Sequence, residues 1–302
     1  MEENSPRKKF DYLLSVSITI AGILIGGALI YGAGLKSLEP RNDAAQNNAD
    51  GLNFEEEVIP SPGVELPVKW RNLGKQLVEA GVIDGQKFEE IYAGREGLSE
   101  ADKNLLYGED NGNLVIDSQN SGFVLNLLWA LGLGNKNKIL EEGPMTDEKF
   151  GGAGRFASTG GWTIAKGEAM NHYSKHNFIV LNESQQALVE MVSKNIFRPC
   201  CGNSTYFPDC NHGMAMLGLL ELMASQNIGE DEMYKIALTV NSYWFPDTYL
   251  TIAKYFKNKN VSWDKIDAKE VLGPDYSGAS GYQNILSQVE PPEIKGGGGC
   301  GI

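Results

Sequence analysis

Soft metal ligands are concentrated in one short stretch of this chain, residues 198–213. The stretch contains Cys200, Cys201 and Cys210, three of the four cysteines, together with His212, one of the three histidines. Thiolate and imidazole groups are ligands that zinc and copper accept readily. The stretch therefore predicts a transition-metal site, with copper or zinc as the ion, or a site of reactive thiols.

The other two histidines lie just upstream, four residues apart, at His172 and His176. On a helix this spacing would place both imidazoles on one face, where they could grip one ion. A hard cation such as calcium is excluded as the ion bound in this region, because calcium takes oxygen ligands. The predicted metal ligands are Cys200, Cys201, Cys210, His212, His172 and His176.

Cys210 has a special position in this pattern. Asp209 is predicted to cap the helix that follows, which would place Cys210 in the first helical turn. The aligned backbone amides of a helix N-terminus favour a thiolate over a thiol. Cys210 is therefore predicted to be the most acidic thiol of the stretch.

Two alternatives to a metal site remain open at this point. Four cysteines allow three disulfide pairings, for example Cys200 or Cys201 with Cys210, and the remaining cysteine with Cys300. Alternatively, Cys210 could act as a nucleophile or redox thiol with a histidine as base. The candidate functions are thus a metal-binding protein, an exported thiol enzyme, and an envelope scaffold stapled by disulfides.

The cysteine stretch resembles the PCYCGC-motif proteins of bacterial cell envelopes. The resemblance rests on Pro199-Cys-Cys-Gly, on Asp209-Cys-Asn-His-Gly, and on the amphipathic helix predicted after them, and it covers about positions 170 to 250. It implies a small, surface-anchored, metal-binding module. One cysteine of the family motif is missing here, because Cys-Tyr-Cys-Gly-Cys is reduced to Cys-Cys-Gly. Carried over residue by residue, the resemblance implies Cys200, Cys201, Cys210 and His212 as ligands.

An N-terminal membrane anchor is predicted from charge and hydropathy. Residues 12–35 form an uncharged apolar run, long enough to cross a bilayer as a helix, and Arg7, Lys8 and Lys9 precede it. Positive charge before the run places residues 1–11 in the cytoplasm as a basic tail and exports the rest. A cleaved signal peptide is the competing interpretation, but the run is long for one. The lipid bilayer is thus a predicted partner, and the cell membrane the predicted location.

The remaining chain divides by composition. Residues 36–66 are polar, Asn-rich and acidic and are predicted to be a flexible linker, while residues 291–302 form a Gly-rich tail that carries Cys300. The net charge of -13, from 26 basic and 39 acidic residues, argues against nucleic acid as a partner. If the chain binds metal, an envelope protein that exchanges the metal with it is a further predicted partner.

Residues 67–290 are predicted to fold as a mainly α, compact multi-helix domain that carries the Cys/His cluster, behind the single transmembrane helix. Apolar periodicity and capping signals place its elements. They are a helix starting at Pro67, a helix over 99–107 with a Ser99–Asp102 capping box, a short strand over 113–117, a buried core helix over 122–131, an Asn182-capped helix to Ile196, and a helix over 210–226.

Overall fold

The computed structural model describes residues 54–94 and 97–291, and its regular structure is mainly helical, as predicted. Its two strands are β1 (Val64–Arg71) and β2 (Asn111–Ile116). Its helices are α1 (Leu73–Glu79), α2 (Gly85–Ala93), α3 (Glu100–Tyr107), α4 (Ser121–Gly134), α5 (Lys138–Glu142), α6 (Ala157–Gly160), α7 (Glu183–Ser193), α8 (Asn211–Ser225), α9 (Glu230–Trp244), α10 (Pro246–Asn258), α11 (Ala268–Val271), α12 (Pro274–Ser277) and α13 (Ala279–Leu286). Short 3-10 helices cover Pro144–Thr146, Glu148–Phe150, Ala153–Arg155, Ala169–Asn171 and Trp263–Lys265.

Several predictions concern residues that the structure does not describe. The basic tail 1–11, the anchor 12–35, the linker as far as residue 53 and Cys300 all lie outside the described residues. Within residues 54–94 and 97–291, no helix combines the length and the apolar character that crossing a bilayer requires. The prediction of a membrane anchor therefore stays a prediction.

Helices α4 and α8 pack closely against each other in the core of the domain. Every residue of α4 from Phe123 onward is buried, as the continuous apolar run over 122–131 predicted. Two glycines allow the backbones to approach. A Cβ atom on Gly132 would lie 2.0 Å from the Met214 carbonyl oxygen, and one on Gly218 would lie 2.4 Å from the Leu128 carbonyl oxygen. Neither glycine therefore has room for a side chain.

This close approach gives a test of the helix pair. Gly132→Ala is expected to lower the free energy of unfolding by about 2 kcal/mol, because the added methyl group must push α8 away. Gly122→Ala on the same helix is the matched control, since a Cβ atom added there would meet no other part of the chain within 4 Å. That control should raise stability by about 0.5 kcal/mol through better helix propensity. Urea denaturation of both variants measures the difference, and equal effects would contradict the packing described.

Strand β1 replaces the helix that was predicted to start at Pro67. Burial alternates along it, with Leu66, Val68 and Trp70 buried and the residues between them exposed. This period of two is that of a strand packed on one face, so the helical prediction is wrong and α1 begins only at Leu73. Pro67 falls in the irregular part of the pairing with β2, where its missing N–H breaks no regular ladder.

Ordered structure also extends upstream of the expected domain start. Val58 and Ile59 are buried, and β1 begins at Val64. Two of the predicted capping signals, in contrast, are confirmed. Ser99 and Asp102 form the reciprocal capping box of α3, and Asn182 caps α7.

A fully buried carboxyl group links three elements beside the core helices. Glu221 of α8 has no exposed surface. Its oxygens accept hydrogen bonds from Asn135 Nδ2, at 3.1 Å, and from Asn137 Nδ2, at 2.6 Å. Gln186 of α7 in turn donates to Asn137 Oδ1 at 3.0 Å. Burial raises the pKa of Glu221 well above its ordinary value, and the two amide donors oppose this effect.

The buried carboxyl group predicts a pH dependence of stability. Because the folded-state pKa of Glu221 is raised, its contribution to stability is full below the unfolded pKa, about 4.5, and is lost as pH rises through the folded pKa. Glu221→Gln should remove this loss, so the stability of the wild type relative to the variant should be lower at pH 7 than at pH 4.5. Denaturation at both pH values measures it. Exposed Glu183→Gln is the control for replacing a carboxyl group with an amide at the surface.

Candidate metal centre

The two adjacent cysteines lie on a short loop that is closed at both ends. Phe197 and Ser204 form an isolated antiparallel bridge across its base. Within the loop, the Gly202 N–H donates to the Arg198 carbonyl oxygen at 2.9 Å, and Gly202 has a left-handed φ of 71°. A side chain would strain this conformation. The glycine of the Cys-Cys-Gly run thus turns the chain directly after Cys201.

The loop brings Cys200 and Cys201 to Cys210 at the start of α8. All three Sγ atoms lie within 4.8 Å of one another, and Cys200 Sγ is 3.9 Å from Cys210 Sγ. Two sulfurs bound to one tetrahedral zinc ion, at about 2.3 Å each, lie about 3.8 Å apart. Cys200 and Cys201 are exposed and Cys210 is half-buried. The three cysteines can therefore hold one metal ion that remains open to solvent.

Asp209 does not cap α8, contrary to the prediction. Cys210 is the N-cap residue, and no side chain makes the capping hydrogen bond. Asp209 instead accepts a hydrogen bond from Arg198 Nη2 at Oδ1, at 2.7 Å, and one from Asn203 Nδ2 at Oδ2, at 2.8 Å. The carboxylate serves this ion pair because Arg198 offers a full charge, which a backbone amide does not.

Arg198 is the site residue to which sequence reasoning assigned no role. Its side chain is 1% exposed, and its Nη2 also donates to Cys201 Sγ at 3.3 Å and to the Phe207 carbonyl oxygen at 3.0 Å. The guanidinium group lies against Gly213, where a Cβ would come within 2.7 Å of it. A fixed positive charge therefore stands beside the thiols. The available signal was an arginine two residues before Cys200.

The surroundings of the three thiols shift their pKa values in different directions. The pKa of Cys201 is lowered, chiefly by hydrogen bonds with Cys200 and Cys210, and further by the charge of Arg198. The pKa of Cys200 is raised chiefly by its hydrogen bonds with the other two cysteines. The pKa of Cys210 is also raised: its bond with Cys200 lowers it, but its bond with Cys201 and burial outweigh that. Arg198 Nη2 donates a hydrogen bond to Cys201 Sγ, whereas the sequence predicted Cys210 as the most acidic thiol.

His212 is not part of the group of three sulfurs. Its ring packs against Phe245, with centroids 4.3 Å apart, and is 6% exposed. Its Nδ1 atom has no hydrogen-bond partner among the described residues. Burial, reinforced by the charge of Arg198, lowers the pKa of His212 to about 4. A buried, neutral imidazole therefore packs against Phe245 and stays outside the group of three sulfurs.

His172 and His176 are brought together with each other and not with the sulfurs. The two histidines were expected to share a helix, but the 3-10 helix before them ends at Asn171. His172 Nδ1 is nevertheless 3.1 Å from His176 Nε2, and the other His172 nitrogen is 3.0 Å from the Lys166 carbonyl oxygen. His176 also forms an isolated bridge with Asn135, next to the end of α4. Backbone N–H groups of Ser174 and His176 donate to the Leu133 and Gly134 carbonyl oxygens and hold this loop against the end of α4.

Comparison with known proteins adds no relative to this description. No family model, no curated protein and no solved structure matches the chain. The resemblance to PCYCGC-motif proteins stays a prediction.

Proposed function

We propose that this chain is a membrane-anchored, extracytoplasmic protein that binds one transition-metal ion, copper or zinc, through Cys200, Cys201 and Cys210. The proposal depends on one observation, the position of three Sγ atoms within 4.8 Å of one another. Thiolates are soft ligands that favour zinc and cuprous ions over hard cations. The resemblance to metal-binding envelope proteins supports the same assignment.

The surroundings of the sulfurs suit an anionic metal complex. Three thiolates around a divalent ion leave one net negative charge. Arg198 supplies a buried positive charge at 3.3 Å from Cys201 Sγ, and the N-terminal end of α8 lies at Cys210. Both favour negative charge at this place. Binding would therefore be stabilised although the ligands lie near the surface.

Delivery or sensing of the metal fits this site better than storage. A tetrahedral zinc site with three protein ligands keeps its fourth position open, as exchanging and catalytic sites do. Cys200 and Cys201 are exposed, so a donor from another molecule can reach the ion. An envelope client that offers such a donor would take the metal by ligand exchange.

A second candidate function is thiol chemistry at Cys201. The observation that favours it is the hydrogen bond of 3.3 Å from Arg198 Nη2 to Cys201 Sγ, which stabilises the nucleophilic thiolate. This candidate moves the nucleophile from Cys210, where the sequence placed it, to Cys201. A histidine base is not required, because a thiolate is already deprotonated.

Metal analysis of the purified full chain, combined with thiol titration, separates these functions. We expect one zinc or copper ion per chain and protection of three thiols from alkylation while the ion is bound. Cobalt substitution should add thiolate-to-cobalt absorption bands. A metal-free chain with one rapidly alkylated thiol, mapped to Cys201, would favour the enzyme. A metal-free chain whose cysteines are all oxidised would favour the disulfide-stapled scaffold.

The proposed location has its own test. Residues 12–35 are the segment proposed to hold the chain in the cell membrane, with residues 1–11 in the cytoplasm. We expect the protein to sediment with membranes and to require detergent for release. Release by high salt alone would contradict the anchor and leave the metal site unaffected.

A further inference from the structure

The three sulfurs of the candidate site are held in different ways. Cys200 is exposed, and its sulfur faces Cys210 Sγ across 3.9 Å. Cys201 is also exposed, but its sulfur is tied to Arg198. The three sulfurs are therefore not equivalent toward an oxidant.

A disulfide between the neighbours Cys200 and Cys201 is disfavoured by backbone geometry. Consecutive Cα atoms across a trans peptide are about 3.8 Å apart. Disulfides usually span Cα distances of about 4.4 to 6.8 Å. Among the described cysteines, the partner of either one in a disulfide is therefore Cys210.

Arg198 decides between the two remaining pairings. Its Nη2 is held by Asp209 and by the Phe207 carbonyl oxygen, so the guanidinium group cannot follow a sulfur that moves away. Oxidation of Cys201 would replace a charge-assisted hydrogen bond with contact to a neutral disulfide, beside an arginine that is 1% exposed. Pairing Cys200 with Cys210 leaves that hydrogen bond intact.

We propose that oxidation releases the metal from this site, through a disulfide between Cys200 and Cys210 that leaves Cys201 as a thiolate on Arg198. The inference rests on the proposed metal-binding function and adds its regulation. Two of the three ligands are consumed together, and a single thiolate does not retain the ion. The site is then a redox-controlled source of metal.

The chemistry balances with a low-molecular-weight disulfide as the oxidant. The Cys200 sulfur attacks one sulfur of the oxidant, whose S–S bond breaks and releases one small thiolate. Cys210 Sγ then attacks Cys200 Sγ, and the bond to the attached small thiol breaks and releases the second thiolate. Two electrons pass from the cysteines to the oxidant, and the two small thiolates take up protons from the cysteine thiols or from solvent. The oxidation state of the metal ion does not change when it leaves.

The test uses the full chain with Cys300→Ser, so that only the three site cysteines remain. Zinc-loaded and zinc-free protein are incubated with oxidised glutathione, zinc release is followed with a chromogenic chelator, and cysteine pairing is mapped by alkylation before and after reduction. We expect a Cys200–Cys210 disulfide, alkylated Cys201, zinc release in step with the disulfide, and renewed binding after reduction. In a further Cys210→Ser variant, glutathione should remain attached to Cys200, because the attacking sulfur is missing.

The outcomes separate this inference from the function on which it rests. If the chain binds none of zinc, cobalt and copper, both the proposed metal-binding function and the oxidative release are contradicted. A chain that binds zinc but keeps it after oxidation contradicts the inference alone. Finding Cys201 in the disulfide, in either the zinc-loaded or the zinc-free protein, also overturns the inference.

Discussion

Cys210→Ser is expected to lower the affinity for zinc or copper by roughly 100-fold or more, because loss of a direct ligand should exceed the about 10–100-fold cost of losing an outer partner. A serine hydroxyl is a hard, neutral donor and does not replace a thiolate on a soft ion. Cys200→Ser and Cys201→Ser should act in the same way, since all three sulfurs lie within 4.8 Å of one another. Competition with a chromophoric chelator measures the affinities.

The control for this experiment is a histidine that was predicted as a ligand from the sequence. His176 contacts His172 at 3.1 Å and does not join the sulfur group. His176→Gln should therefore bind metal with the affinity of the wild type, within about twofold, because sites without shared contacts usually act independently. A loss in His176→Gln as large as that in Cys210→Ser would contradict the three-cysteine site.

The second large effect is expected at the buried ion pair below the loop. Arg198→Met should lower the free energy of unfolding by about 3 kcal/mol, because it leaves the partly buried Asp209 carboxylate without its counter-charge. Arg198 Nη2 is 2.7 Å from Asp209 Oδ1, and the two side chains are 1% and 19% exposed. Urea denaturation of the metal-free chain measures the loss. The double variant Arg198→Met/Asp209→Asn should recover much of it, since no charge is then left unpaired.

An exposed ion pair provides the matched comparison. Lys103 and Glu100 are 3.0 Å apart, but their side chains are 47% and 87% exposed. Lys103→Met should change stability by less than about 1 kcal/mol, because water screens such pairs. If Arg198→Met is no more damaging than Lys103→Met, the guanidinium group does not hold the loop. Metal affinity of Arg198→Met should also fall by about 10–100-fold, as for other outer partners of ligands.

Signals that act within a few residues were readable from the sequence. The Ser99–Asp102 capping box, the Asn182 cap and the apolar core helix α4 were predicted and are confirmed. Each depends on hydrogen bonds one turn apart or on the pattern of one segment. The same local logic pointed to the cysteine stretch, because ligand types are visible without a fold.

Where local signals compete, only the packed domain decides. Pro67 suits a helix start as well as an irregular strand, and pairing with β2 selected the strand. Asp209 suits an N-cap, yet a buried arginine eleven positions earlier in the chain took its carboxylate. In each case a contact with a separate segment outweighed the preference of the residue itself.

The sequence by itself indicated a mainly helical domain in which Cys210 lies at a helix start and Cys200 and Cys201 lie in the loop before it. The tertiary structure alone decided which ligands meet, because the closed loop brings Cys200 and Cys201 to Cys210 and leaves the histidines elsewhere. It also set the acidity of the thiols, since the position of Arg198 depends on Gly213 offering no side chain. Contacts between separate segments follow from close packing in the folded domain, so they cannot be read from a local pattern of residue types.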